Sequence, residues 1–294
     1  MNGWIILDKP LGLSSAQGVA AVKRIVRGVG IRPDRIGHGG TLDPLATGVL
    51  PIAIGEATKL AGRMLDATKG YDFTVKWGVA TTTEDAEGAV VTTSDLRPTE
   101  AAVAAILPRF TGPIAQVPPA YSALKIDGQR AYALARAGET VELATRHVTI
   151  HDLHLRESTP EDATFSATVS KGTYIRSLAR DLALALGSVG HVTMLRRTRA
   201  GPFRLDQAIS LDKFESLVQG AQLEQVLLPL MAGLDDIPAL AIDPEQAAAL
   251  RQGRRLFGHP ASPGTYLACL GPVPVALVEI DPEAVRVLRG FNLE

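Results

Sequence analysis

The sequence is most informative at Gly37-His38-Gly39-Gly40-Thr41-Leu42-Asp43-Pro44-Leu45-Ala46-Thr47-Gly48-Val49-Leu50. It reads as a loop that holds one acid in a constrained place. Gly39 and Gly40 permit positive φ and allow a ligand close to the backbone. Pro44 disfavours helical backbone at Asp43 and pushes it toward an extended conformation. Asp43 is the only carboxylate between Asp34 and Glu56, and no charged residue lies within four positions of it. A partly desolvated carboxylate in such a loop could serve as a base or a nucleophile. The plainer alternative is a turn-forming Asp-Pro beside a glycine cluster. The glycine spacing fits neither a phosphate loop nor a dinucleotide fingerprint.

Upstream, Trp4–Leu7 reads as a short buried strand that ends at Lys9-Pro10. Ser14 and Ser15 are N-cap candidates for a helix whose Val19, Val22 and Val26 share a face, stopped by Gly28 and Gly30. Downstream, Glu56–Leu65 reads as helical. Tyr71–Val79 alternates Tyr71, Phe73, Val75, Trp77 and Val79 against Asp72, Thr74, Lys76 and Gly78, which predicts a half-buried strand. Helices are predicted from Pro98 to Leu107, over Gln129–Ala137 and over Ile175–Leu186. Strands are predicted over Val148–Leu155, Thr164–Ser170 and Val192–Arg197. Beyond Leu230 the texture changes: residues 258–282 hold eight Gly or Pro, which separate short apolar stretches. That pattern predicts a small β-rich unit.

The chain has 294 residues, 46% apolar and 21% charged, as expected for a folded globular protein. Its net charge of -1 argues against a strongly basic nucleic-acid binder on average. The average hides an asymmetry. Residues 1–210 hold 24 Lys+Arg against 20 Asp+Glu, and residues 211–294 hold 6 against 11. One cysteine, Cys269, excludes an intrachain disulfide framework and a multi-cysteine metal site. The longest apolar run, Ala101–Leu107, is far short of the roughly 20 residues of a membrane span. Without a signal-like N-terminus either, the chain reads as cytoplasmic. His147, His151 and His154 suggest a metal site, but strand alternation puts His154 opposite the other two, so a polar strand surface is the better reading.

Gly40–Leu50 resembles the central motif of the tRNA pseudouridine synthase B (TruB) family. Asp8–Ser15, Pro118–Lys125, Ser170–Arg176 and Leu195–Phe203 resemble other segments of the same family, in the same order. The resemblance spans residues about 3–210. It implies an α+β fold with a pseudouridine synthase-type mixed sheet and flanking helices, in a catalytic domain over 1–230. A small PUA-like β-rich domain is implied over 231–294. The implied reaction turns uridine into pseudouridine at position 55 in the tRNA T-loop. Alternatives are an RNA-binding or tRNA-folding protein with this fold, or a synthase for another RNA site. The implied enzyme needs no cofactor and no metal. Its partner is tRNA, with no membrane, no obligate protein partner and a monomeric state.

By the same resemblance Asp43 is the catalytic aspartate, Arg176 pairs with it, and Tyr71 stacks on the target base. Arg176 sits near the start of its helix, where a cation opposes the macrodipole and an anionic partner would offset that. Strand parity also allows Tyr71 to be an ordinary core aromatic. His38 matches a residue near the displaced nucleotide, with a binding role. Lys9, Lys59, Lys171, Arg197 and Arg199 are expected to bind substrate through phosphate contacts, with Arg196 adding charge nearby. Leu195 is expected to pack near the uracil. Asp85 lies in a family-like segment and carries no assigned role.

Overall fold

Trp4, Ile5, Ile6 and Leu7 are all buried because the strand that carries them has a covered surface on both sides. The computed structural model describes residues 1–122, 124–126, 128–137, 143–258 and 260–293. β1 (Gly3–Lys9) leads into α1 (Ser15–Gly28). Of the two cap candidates the helix uses Ser14, whose hydroxyl accepts from Gln17 N while the Gln17 side chain returns to the Ser14 backbone. β2 (Ile36–His38) and β3 (Ala46–Ile54) follow. The motif read as one loop is therefore a loop only between them, and its last residues enter a buried strand. The stretch read as a helix over 56–65 begins as a 3-10 turn, Gly55–Leu60, and only then becomes α2 (Ala61–Asp66).

β4 (Lys69–Trp77) places Phe73, Val75 and Trp77 in the core, as the alternation requires. It stops two residues short of Val79. Gly78, at φ 82°, turns the chain, and β5 (Val79–Thr81) pairs instead with β6 (Val90–Thr93). α3 (Glu100–Ile106), capped by Thr99, precedes β7 (Gly112–Gln116). The short pair β8 (Lys125–Ile126) and β9 (Gln129–Arg130) leads to α4 (Ala131–Arg136), which is shorter than the 129–137 helix expected. Ala123 of the Pro118–Lys125 motif lies outside the described residues. β10 (Arg146–Ser158), β11 (Asp162–Val169), α5 (Ile175–Ala185) and β12 (Gly190–Ala200) complete the larger sheet, with β13 (Phe203–Arg204) at its margin. α6 (Leu211–Gln219), which no periodicity suggested, packs beside α1.

Among the described residues the main sheet has nine strands, along the path β1-β3-β12-β4-β11-β10-β7, with β2 on β3 and β13 on β12. All these pairs are antiparallel except β3 with β12. A bulge in β10 between Ile150 and Asp152 shifts the pattern by one residue. Val148 and Ile150 are buried before it, Leu153 and Leu155 turn inward after it. His154 therefore joins His147 on the outer face, not the opposite one. Among the described residues no cluster of three or more His, Cys, Asp or Glu is arranged for a metal.

A second sheet runs in the order β14-β16-β17-β18-β15, formed by β14 (Ala239–Ala241), β15 (Leu256–Phe257), β16 (Gly264–Leu270), β17 (Val273–Ile280) and β18 (Ala284–Gly290), with α7 (Pro244–Arg251) packed on it. It does not stand apart. Leu267, Cys269, Leu277 and Phe291 share a buried cluster with Trp4, Ile6 and Phe203. Ile5 and Leu7, one residue out of phase, face the other cluster with Val22 and Val26 of α1. Polar ties reinforce the junction: Lys59 Nζ donates to Gly290 O at 2.9 Å, and Asn292 N donates to Glu56 Oε2 at 2.7 Å. Among the described residues no helix is long and apolar enough to cross a membrane.

Candidate active site

The loop over residues 39–45 has little regular hydrogen bonding of its own. Its carbonyls are gripped by side chains from three distant segments. Lys9, at the end of β1, donates to Pro10 O, Leu13 O and Pro44 O at 2.9, 2.6 and 3.3 Å. Arg197 of β12 donates from Nε to Val49 O, from Nη1 to Thr41 O and from Nη2 to Gly40 O, at 2.7, 3.2 and 3.1 Å. Ser15 Oγ donates to Leu42 O at 3.0 Å and accepts from Leu42 N at 2.7 Å. Buried carbonyls without partners are costly, so these contacts fix the loop rather than decorate it.

This overturns two expectations. Lys9 and Arg197 are buried, and their donors are taken up by backbone carbonyls rather than left for phosphates. Burial also lowers the Lys9 amine to about 8, with Asp43 opposing and Arg197 reinforcing the shift. Lys69 behaves alike: burial lowers it to about 8, and its Nζ donates to Leu65 O and Ala67 O. In each case the unfolded chain holds the proton more tightly. Stability should therefore rise as pH climbs from about 8 toward 10.5, where burying these amines no longer costs a charge. Urea titrations should show that rise in the wild-type protein and a smaller one in Lys9→Met. An identical pH profile would contradict it.

Asp43 emerges from the gripped loop into a cleft of about 550 Å³. Its Oδ2 lies 2.9 Å from Arg176 Nη2. Arg176 is held from several sides: Nη1 donates to Thr83 O at 2.9 Å, Nη2 donates to Tyr121 O at 3.0 Å, and Asp85 Oδ2 stands 3.6 Å from Nη1. The arginine is 6% exposed and Asp43 39%, so the cation is fixed in the wall while the carboxylate meets solvent. Arg176 is the second residue of α5, with its charge toward the positive end of the helix. Two carboxylates, Asp43 and Asp85, offset this. Asp85 is itself held by the Thr83 hydroxyl and by Glu87 N.

Tyr71 and Leu195 line the same cleft. Tyr71 lies on the Phe73 face of β4, as parity requires, but only partly buried at the strand end, with its ring at the cleft wall. His38 lines a second cavity of about 500 Å³ that shares Asp43 and Arg176 with the first. Gly40 N donates to His38 Nδ1 at 3.4 Å, and burial lowers the imidazole, so it faces the cavity neutral. Lys171, between the cleft-lining Ser170 and Gly172, is paired with Asp66 at 3.0 Å and does not itself line the cleft.

Two expected phosphate contacts, Lys59 and Arg199, lie elsewhere, and so does the charge of Arg196. Lys59 is bound to Glu56 and Gly290 O at the junction with the second sheet, away from the cleft. Arg199 donates to Gly201 O and lines two other cavities instead of the cleft. Arg196 is spent on Asp8 at 2.8 Å.

Conversely, Lys69, Arg146 and Tyr174 line the cleft without having been singled out. Lys69 shares strand parity with Tyr71, and Tyr174 lies inside the Ser170–Arg176 motif, so both left a trace. Arg146 left none. Among the described residues, Lys69, Arg146, Arg176 and Arg197 face the cleft against one carboxylate, Asp43. The near-neutral chain thus contains a locally positive cleft, the field a polyanion needs.

Comparison with solved structures gives the fold class. The chain superposes on a crystal structure of a Cbf5-Nop10-Gar1 complex with a TM-score of 0.75, 26% identity, and coverage of 99% of this chain and 85% of that one. An archaeal box H/ACA sRNP Nop10-Cbf5 complex matches at a TM-score of 0.74 and 25% identity, over 99% and 86%. Sequence narrows the class. The family model for the TruB family pseudouridylate synthase N-terminal domain matches residues 27–175, and that for the tRNA pseudouridylate synthase B C-terminal domain matches 176–235. The tRNA pseudouridine synthase B of Novosphingobium aromaticivorans is 64% identical over 100% of this chain and 98% of its own length. That of Zymomonas mobilis is 56% identical over 99% and 96%. The chain belongs to the TruB family of pseudouridylate synthases, a family of isomerases.

Proposed function

We propose that the protein converts uridine to pseudouridine at position 55 in the T-loop of tRNA, with Asp43 as the active-site carboxylate and no cofactor. The observation that carries this reading is the Asp43–Arg176 contact at 2.9 Å in a cleft whose other charged lining residues, among those described, are cations. The reaction breaks the bond from uracil N1 to the sugar, turns the base and joins C5 to the same sugar carbon; C5 gives up its proton and N1 ends protonated. Reactant and product are isomers, so no redox equivalent is consumed. The chemistry asks for a carboxylate beside the sugar, a pocket for the free base, and room for the turn. Asp43 supplies the first. Tyr71 and Leu195 offer a ring and an apolar side chain in the same cleft as the second. The target must leave its stack to reach them, at a cost of a few kcal/mol. His38, in the adjoining cavity, is positioned to fill the vacated space.

In this reading the enzyme works in the cytoplasm as a monomer, without an obligate protein partner, with residues 1–230 as the catalytic domain. The test is incubation with an unmodified tRNA transcript followed by site mapping. Pseudouridine at position 55 is expected. Pseudouridine elsewhere would refute the site while keeping the class, and none at all would refute the activity.

A further inference from the structure

The mouth of the cleft carries a carboxylate that works against its surroundings. Among the described residues four cations line the cleft, yet Asp66, next in the chain to the cleft residue Leu65, lines a neighbouring cavity with Arg63, Arg199, Asp235 and Asp236. Its Oδ1 lies 3.0 Å from Lys171 Nζ. The two residues leave the β4–β11 ladder at the same end. Lys69 pairs with Val169, Asp66 lies three residues before one and Lys171 two after the other. The ion pair closes that end, beside the rim residues Leu65, Ser170 and Gly172.

The position of Asp66 is built. Lys69 Nζ donates to the carbonyls on either side of it, Leu65 O and Ala67 O, both at 2.6 Å. The backbone is thus anchored from below, while the carboxylate stays 67% exposed and its lysine partner 64%. An ion pair this exposed contributes little to folding. It does, however, hold the Lys171 ammonium in place and satisfied.

We propose that Asp66 is an internal competitor for the phosphate that Lys171 binds. In the RNA-free protein Asp66 occupies the ammonium. An RNA strand that seats a nucleotide in the cleft brings a phosphate to the rim and displaces the carboxylate. When the modified RNA leaves, Asp66 takes the lysine back. The exchange lowers affinity and speeds release, by the modest factor that an exposed pair is worth. The inference rests on the RNA reading above.

The test measures dissociation rates and Kd of an unmodified tRNA transcript for the wild-type protein, Asp66→Asn, Lys171→Gln and the double variant, at several salt concentrations. Asp66→Asn should slow dissociation and tighten binding by about two- to fivefold. Lys171→Gln should weaken binding and lower the slope of log K against log salt by roughly 0.7–0.9. In the Lys171→Gln background Asp66→Asn should change nothing. If Asp66→Asn weakens or does not alter binding, Asp66 orients the lysine or is inert, and the proposal falls. Equal tightening with and without Lys171 marks a general repulsive charge and overturns it too. A wild-type protein that neither binds nor modifies the transcript would refute the functional reading instead.

Discussion

Asp43→Asn should reduce pseudouridine formation by on the order of 10⁴-fold or more while leaving tRNA binding within a few-fold of wild type. The substitution keeps the shape of the side chain and removes only its charge and nucleophilicity. Arg176 does not lose its anchoring, because Asp85 and the carbonyls of Thr83 and Tyr121 still hold it. The loop does not lose its grip either, since Lys9, Ser15 and Arg197 bind backbone rather than the Asp43 carboxylate. Activity and binding should therefore separate in this variant. Site mapping on a tRNA transcript, with binding followed in parallel, reads both. Retained turnover would remove Asp43 from the chemistry. Loss of binding equal to the loss of activity would make it a recognition residue.

Arg176→Lys should cost about 10²- to 10³-fold in kcat/KM with a much smaller change in Kd. Lysine keeps the charge but presents one ammonium where the guanidinium reaches two carboxylates and two carbonyls in a fixed fork. Asp43 then loses the partner that sets its direction. Removing the charge altogether is less informative. Arg176→Met leaves Asp85 buried and unpaired, at a cost of about 3–5 kcal/mol, so lost activity would be entangled with lost stability. Thermal melts of the lysine variant should stay near wild type while turnover falls. Turnover near wild type would refute the pairing role.

Much of this site was readable because its signals are local. The Tyr71–Trp77 alternation follows from the strand period alone, and it places Tyr71 correctly on the Phe73 face. The isolation of Asp43 among apolar and glycine neighbours marks it before any fold is known. Reach was not readable. Lys9 and Arg197 look like free cations in a linear chain, and only packing brings them under the loop. Lys59 was misplaced for the same reason, since its carbonyl partner Gly290 is brought to it by tertiary structure, whereas Arg199 bonds locally to Gly201 O. The β10 bulge defeats parity, because one extra residue reverses every later side chain, as His154 shows. The shared cluster of Trp4 with Leu277 and Phe291 was hidden too, as short strands between glycines and prolines do not say what they pack on. Whole-chain charge missed the cleft, which depends on where a few cations gather.

The grip on the Asp43 loop has a consequence for motion. The Leu42 amide is bonded to a buried hydroxyl on α1, its carbonyl to the same hydroxyl, and the flanking carbonyls to β1 and β12. No segment of that loop can open alone without stranding polar groups in the interior. Its exchange with solvent is therefore tied to the opening of the domain that surrounds it, rather than to the fast fraying common in surface loops. The carboxylate is held still on a segment without secondary structure.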